Sequence, residues 1–570
     1  MGAQAARAVN DCKPLPLSIM FALINSPREP SPATESIQRV SVWRQMVDDY
    51  RPLAHSLEWQ LSTLHWIEAG VLPFIDSSVP FLINNNGRLS SNAAALLFAN
   101  CVEAPPGEGD IAVLEFGAGT GLFARYLLDE FRLLCERESR DFYSRLCYYV
   151  TDRSPRTVQQ WEERGVFQGH TGRVIARASD ANSVETAAGQ PVRAVFCNYL
   201  LDSLPSAIVR KTERGWEQVF VRAWLPDDAL LLRQYTRLNF DEIRAMAASA
   251  DLDHKLQLLP LLPLLEFQAD FFPAGQDRPR GLEQFTSAAA GGAFGYNFGA
   301  IECLESALEV LEPTGFILVN DYTSTVSASQ RFGPTTAMGL NFPLLEEHFK
   351  ASGIETLKPE GDDGRSIHAR LLLRSGLPGT RRTFETQFAA SALQHAEAPV
   401  ERARQEAGAG LFREALADYR TAIERNPRDW QLIGEAAAFV SAQLGEHAAG
   451  AELARAAIDL NPWYSASLWN VLGECLSRME RHEEAHECYL QACRIHPGDV
   501  TTNLNLARSW LKQGDPRQSL EAVARGLAND SEAMFRHTLL ERQQEAIAAL
   551  SIRWNRERGA SARRSSLGPR

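Results

Sequence analysis

Glycines occupy every second position at Gly117, Gly119 and Gly121. They directly follow an apolar run ending in Glu115 and Phe116. This local order constrains the fold more than any other part of the chain. A strand over 111–116 and a helix over 122–134 must be joined by a turn that only glycine adopts cheaply, and the missing Cβ atoms let a ligand touch the main chain. Downstream, strands are expected at 147–151, 174–176, 194–197, 316–320 and 368–373, with helices at 157–164, 298–311 and 343–352. That alternation predicts a Rossmann-like α/β domain with a parallel sheet, binding its ligand beyond the carboxyl ends of the strands.

The spacing E-x-G-x-G-x-G, carried by Glu115, Gly117, Ala118, Gly119 and Gly121, differs from the dinucleotide fingerprint G-x-G-x-x-G. It resembles motif I of class I S-adenosylmethionine (SAM)-dependent methyltransferases. The resemblance implies SAM as cofactor, with Glu115 near its methionine ammonium. Asp152 ends the next strand, where an acid can accept hydrogen bonds from ribose hydroxyls. Asp180 follows the third strand; the resemblance implies contact with the adenine amino group, and a turn or cap role is an equal alternative. At the top of the fourth strand, Asn198 and Asp202 are placed to bind an acceptor or take its proton. The bland alternatives are an amide satisfying loop backbone and an acid capping a helix.

The order of motif I, then N-x-x-x-D-x-L-P, a long insertion and G-x-x-L-x-x-D-Y resembles the MidA-like methyltransferases. That group includes mitochondrial complex I assembly methyltransferases. Asn198, Asp202, Leu204 and Pro205 match the second motif, and Gly315–Tyr322 the last. The strand Gly215–Val219 also resembles its family counterpart. The resemblance spans about 105–375. Two positions depart from it: Tyr199 stands where the family has Glu, and Thr323 where it has Gly. A neutral ring cannot replace a carboxylate opposite a guanidinium, so the protein-arginine methylation linked to the family does not transfer directly. Tyr199 could instead stack on a cation or planar acceptor, or simply pack beside the site. Asn198, Tyr199 and Asp202 are the candidate catalytic residues.

Prolines recur 35 residues apart at Pro427, Pro462 and Pro497. The block ending at Pro497 holds Trp469, Leu472, Gly473, Ala485, Tyr489 and Ala492 at tetratricopeptide spacing. Such helical hairpins stack because none buries its apolar face alone. The array is expected to bind a protein or peptide in its groove, or to hold a homodimer together.

The expected layout is a mainly helical extension at 1–104, with a helix from about 36 to 69. A methyltransferase domain follows at 105–375, its insertion at about 206–295 shaping the substrate pocket. A linker or short connecting helix covers 376–400, repeats with a capping helix 401–556, and a disordered basic tail 557–570. Net charge is −13, which argues against nucleic acid as the main partner. Nine cysteines without a CxxC pair suggest reduced thiols, no metal site and a cytoplasmic protein. No apolar run is long enough for a membrane span. The function read from these features is methyl transfer to a nitrogen on a protein or peptide recruited by the repeats. The alternatives are a small-molecule methyltransferase using its repeats for assembly, and a non-catalytic SAM-fold scaffold.

Overall fold

The computed structural model describes residues 43–76, 86–182, 190–285, 292–324, 328–374 and 376–565, with only the backbone from 556 onward. These residues form two compact units that divide between His395 and Ala396.

In the first unit, β1 (Arg44–Pro52) leads into α1 (Leu57–Ala69) and then α2 (Arg88–Glu103). Next come β2 (Ile111–Phe116), α3 (Leu122–Arg137), β3 (Leu146–Asp152), α4 (Pro155–Arg164), β4 (Val174–Ala178) and β5 (Val192–Asn198). The middle block holds β6 (Ala207–Thr212), β7 (Gly215–Pro226), α5 (Phe240–Ala248), β8 (Glu266–Pro273) and β9 (Phe294–Tyr296). Then follow α6 (Phe298–Val310), β10 (Leu311–Tyr322), the small hairpin β11 (Gln330–Phe332) and β12 (Thr335–Ala337), and α7 (Phe342–Ala351). The unit's last strands are β13 (Glu355–Leu357) and β14 (Ile367–Leu373).

Seven strands make one sheet in the order β13-β14-β10-β5-β2-β3-β4. β10, β5, β2, β3 and β4 are parallel, and β14 and β13 finish the sheet as an antiparallel pair. Every residue of β2 and β5 is buried, as expected of central strands covered on both faces. From β2 the chain builds outward through β3 and β4. It then returns to β5, beside β2 on the other side, and builds outward through β10. The loops after β2 and β5 therefore part in opposite directions and leave a crevice at the carboxyl ends.

The segment before β2 carries α1 and α2, but the first described part of the helix expected from about 36 to 69 is not helical. Residues 44–52 form a strand, paired antiparallel with β7 from Arg44↔Pro226 to Pro52↔Phe220. Pro52 ends it, and the Ser56 hydroxyl, accepting from the Trp59 N–H, caps α1. β7 also pairs with β6 and β8, so the N-terminal segment and the middle block share one antiparallel sheet. They share a core as well: Val47, Leu57, Leu61 and Leu64 pack with Ala223, Leu225, Ile243, Leu258 and Leu261. A strand completed by partners far along the chain carries little local signal in the sequence. Trp59 is buried and Trp43 is 74% exposed. α2 starts at Arg88, capped by left-handed Gly87.

The stretch at 376–400, expected as a linker or short connecting helix, holds α8 (Pro378–Gln387), which packs against α2. The Glu103 carboxylate accepts from the Gly379 and Thr380 N–H groups, each at 2.8 Å. An acid at a helix N-terminus opened by proline is a favourable cap.

The second unit is helical: α9 (Ala390–Gly408), α10 (Phe412–Arg425), α11 (Trp430–Leu444), α12 (His447–Leu460), α13 (Ala466–Arg478), α14 (His482–Ile495), α15 (Val500–Lys512), α16 (Pro516–Asn529) and α17 (Arg536–Ser565). Consecutive helices pair as hairpins. Glu435, 1% exposed, ties three helices together by accepting from both Arg404 and the Tyr419 hydroxyl. α17 continues as helix through most of the expected disordered tail. That stretch has no proline before Pro569 and is rich in Arg and Ala, which favour helix. No helix among the described residues is long and apolar enough to cross a membrane.

A Cβ on Gly473 would stand 2.5 Å from the buried Tyr489 ring. Gly473→Ala is expected to destabilise the array by about 1–3 kcal/mol, measured by urea unfolding followed by helical circular dichroism.

Candidate active site

The loop after β2 is set by three left-handed glycines, Gly117 (φ 59°), Gly119 (φ 53°) and Gly121 (φ 75°). Each is also tightly packed. A Cβ would lie 2.8 Å from Leu200 at Gly117, 3.1 Å from the Phe74 ring at Gly119 and 2.8 Å from Phe167 at Gly121. Ala118 N–H donates to Thr151 O (2.9 Å), tying the loop to the end of β3. Asp152, which ends β3, accepts from Gly119 N–H at 3.0 Å and from Ser154 N–H at 2.9 Å. Thr157 also hydrogen-bonds the carboxylate through its side chain, and capacity for a ligand hydroxyl remains on it. The Trp161 indole donates to Gly119 O at 2.9 Å. The result is a cradle of main chain beside a carboxylate, and it fits a nucleoside cofactor.

Glu115 lies at 1% exposure on β2 and accepts from the Tyr148 hydroxyl at 2.9 Å. Burial, reinforced by the nearby Asp152 charge, raises its carboxyl to about 8. Burial likewise raises Asp152 to about 6, against the pull of its backbone N–H donors. Asp180 sits just past β4, in register beside the end of β3. It accepts from Asn182 N–H in a local turn and pairs with Arg153 at 3.2 Å, both side chains being well exposed.

Across the crevice, the loop after β5 carries Asn198, Tyr199 and Asp202. Asn198 is 2% exposed; its Oδ1 accepts from Asn320 Nδ2 at 2.9 Å, while its own Nδ2 is buried without a partner. Tyr199 holds φ at +52°, a conformation that is uncommon for a bulky residue and clusters at functional sites. Its hydroxyl is also buried without a partner, and its ring lies 5.4 Å from Tyr322. Burial raises Asp202 to about 7. Leu200, from the same loop, covers Gly117, so the structure brings the β2 and β5 loops face to face.

Two groups essential to this geometry lay in a quoted motif but were given no role from sequence. Asn320 holds Asn198. Asp321, wholly buried, gathers the N–H groups of Leu200, Leu201 and Asp202 on one carboxylate oxygen at 3.2, 2.8 and 3.4 Å. Burial and the neighbouring Asp202 charge push the Asp321 carboxyl up. Phe74, over Gly119, gave no sequence signal at all. Thr323, the second departure, fills its place by donating its hydroxyl to Leu340 O at 3.3 Å. Among the described residues, no group of three or more His, Cys, Asp or Glu side chains could hold a metal ion, and the eight described cysteines are free thiols.

The Glu115 carboxyl titrates from about 4.5 in the unfolded chain to about 8 in the fold. Between those values the folded state binds the extra proton, so stability falls as pH rises, by at most about 1.4 kcal/mol per unit for this one group. Glu115→Gln is expected to flatten the decline in melting temperature between pH 5 and pH 8, measured by thermal denaturation without ligand.

Residues 95–348 match a family model described as "Putative S-adenosyl-L-methionine-dependent methyltransferase", and residues 466–499 match a tetratricopeptide repeat. No curated relative matches the chain. Among solved structures, it is similar to a protein from Burkholderia thailandensis bound to S-adenosyl-homocysteine. The identity is 13%, over 64% of this chain and 96% of that one, with a TM-score of 0.38. It is also similar to a thermophilic tetratricopeptide protein of Thermus thermophilus, at 20% identity over 30% of this chain and 89% of that one, with a TM-score of 0.24. Residues 95–348 are thus similar to a family of putative S-adenosyl-L-methionine-dependent methyltransferases, and the same chain carries a tetratricopeptide-like segment at 466–499.

Proposed function

We propose that the chain transfers a methyl group from SAM to a nitrogen on a protein or peptide recruited by its repeats. The observation that carries this reading is the pairing of the two loops. A main-chain cradle beside Asp152 faces a second loop on which Asn198 Nδ2 and the Tyr199 hydroxyl are buried and unpartnered. Unpaired buried polar atoms are costly, and a bound acceptor would satisfy them. When bound, SAM supplies a methyl group already activated as a sulfonium. The chain's part is to align the acceptor and exclude water, where orientation accounts for most of the rate gain.

In this reading Glu115, Gly117, Ala118, Gly119, Gly121 and Asp152 hold the cofactor, and Asp180 borders its base. Asn198 orients the acceptor, and the Tyr199 and Tyr322 rings flank it. Asp202 takes the proton that leaves the nitrogen. A small-molecule acceptor is the second reading, favoured by the depth of Asn198 and of the Tyr199 hydroxyl, which only a slender group can reach.

Gly119→Arg is expected to abolish SAM binding in calorimetry, because the new side chain must displace Phe74 from a left-handed position. A wild-type protein that is folded yet binds no SAM would refute the enzyme reading and leave a scaffold.

Asp202 must be ionised to accept a proton. With its value raised to about 7, kcat/KM is expected to rise about tenfold per pH unit below 7 and level off above it. Asp202→Asn is expected to remove that limb and cost about 10²-fold, measured as transfer of labelled methyl. Label appearing in high-molecular-weight protein from a cell extract supports the protein acceptor; label confined to small molecules supports the second reading.

A further inference from the structure

We infer that Phe74, from the segment preceding the methyltransferase sheet, forms the wall against which the nucleoside half of the cofactor packs. This rests on the reading of the crevice as a SAM site.

The argument begins with how the segment is held. The carboxyl end of α1 is bonded to the same stretch that carries Asp152. The Ser154 hydroxyl donates to Ile67 O at 2.5 Å, Arg156 donates to Glu68 O at 2.9 Å, and Val71 N–H donates to Gln160 Oε1 at 3.2 Å. Gly70, at φ 58°, lies so close to Gln160 that a Cβ would stand 2.7 Å from its Oε1. These contacts fix 67–71 against 154–160. The short helical turn Leu72–Ile75 then carries the Phe74 ring onto Gly119, with Trp66 behind it at 5.6 Å.

The position of the ring tells which part of the cofactor it meets. Gly119 is the glycine whose N–H sits on Asp152, the acid assigned to the ribose. The opposite end of the loop, Gly117, is covered by Leu200 instead. Phe74 therefore borders the ribose and base, away from the sulfonium. A flat apolar ring there offers area and stacking without selecting for charge. It should hold SAM, with its cationic sulfur, and S-adenosylhomocysteine, with a neutral one, equally well.

The test is calorimetry on the full chain with both ligands, comparing wild type, Phe74→Ala and Phe74→Leu. Phe74→Ala is expected to bind both about tenfold more weakly, and Phe74→Leu to fall between. S-adenosylhomocysteine is expected to slow amide hydrogen exchange over residues 70–75 of the wild type. Unchanged affinity in Phe74→Ala, a loss for SAM alone, or no protection of 70–75 would each overturn the inference. If Phe74→Ala is unfolded in a thermal scan, Phe74→Leu and the exchange data decide. Wild type that binds neither ligand would defeat the methyltransferase reading itself, and so is distinguishable from failure at Phe74 alone.

Discussion

The first unit is organised around a reversal in its central sheet. β2 and β5 lie side by side and parallel, yet the chain leaves them toward opposite edges of the sheet, and their loops must diverge. A gap at that point is unavoidable, and the surrounding structure holds its rims. On one side the glycine loop is pinned to β3 through Thr151 and Asp152. On the other, the buried Asp321 carboxylate organises three successive amides. Neither rim depends on a ligand for its shape, so the crevice is largely pre-formed, and binding would cost little reordering.

The electrostatics follow from the same layout. Glu115, Asp152, Asp202 and Asp321 are four acids around one crevice, and burial raises all of them. Such a group of carboxyls is poor at stabilising a fold. It does suit a site that receives cations and protons, which is the kind of place where shifted acids are concentrated.

What could be read in the sequence divides along a physical line. Gly117, Gly119 and Gly121 were legible because the backbone itself demands glycine there. The sheet's central strands were legible because complete burial writes a continuous apolar run. The repeats were legible because small and large residues alternate at a fixed period. β1 was not, since its partners are β7 residues far downstream. The left-handed turn at Tyr199 was equally hidden, being held by the contacts of its loop with Asn320 and Asp321. Phe74 could not be found because only the docking of α1 on 154–160 puts it near Gly119. The cap of α8 was not legible, because Glu103, which supplies it, lies far away in sequence.

The pairing of β1 with β7 also has a consequence during synthesis. A ribosome adding roughly 5–20 residues per second finishes β7 some ten to thirty seconds after β1. Through that interval Arg44–Pro52 has no sheet to join, and the apolar side chains of α1 lack the Ala223, Leu225 and Ile243 that later cover them. The nascent chain thus carries the apolar faces of β1 and α1 uncovered until Pro226 has been added. Its yield in a cell should then depend on the holding chaperones that meet it at the exit tunnel.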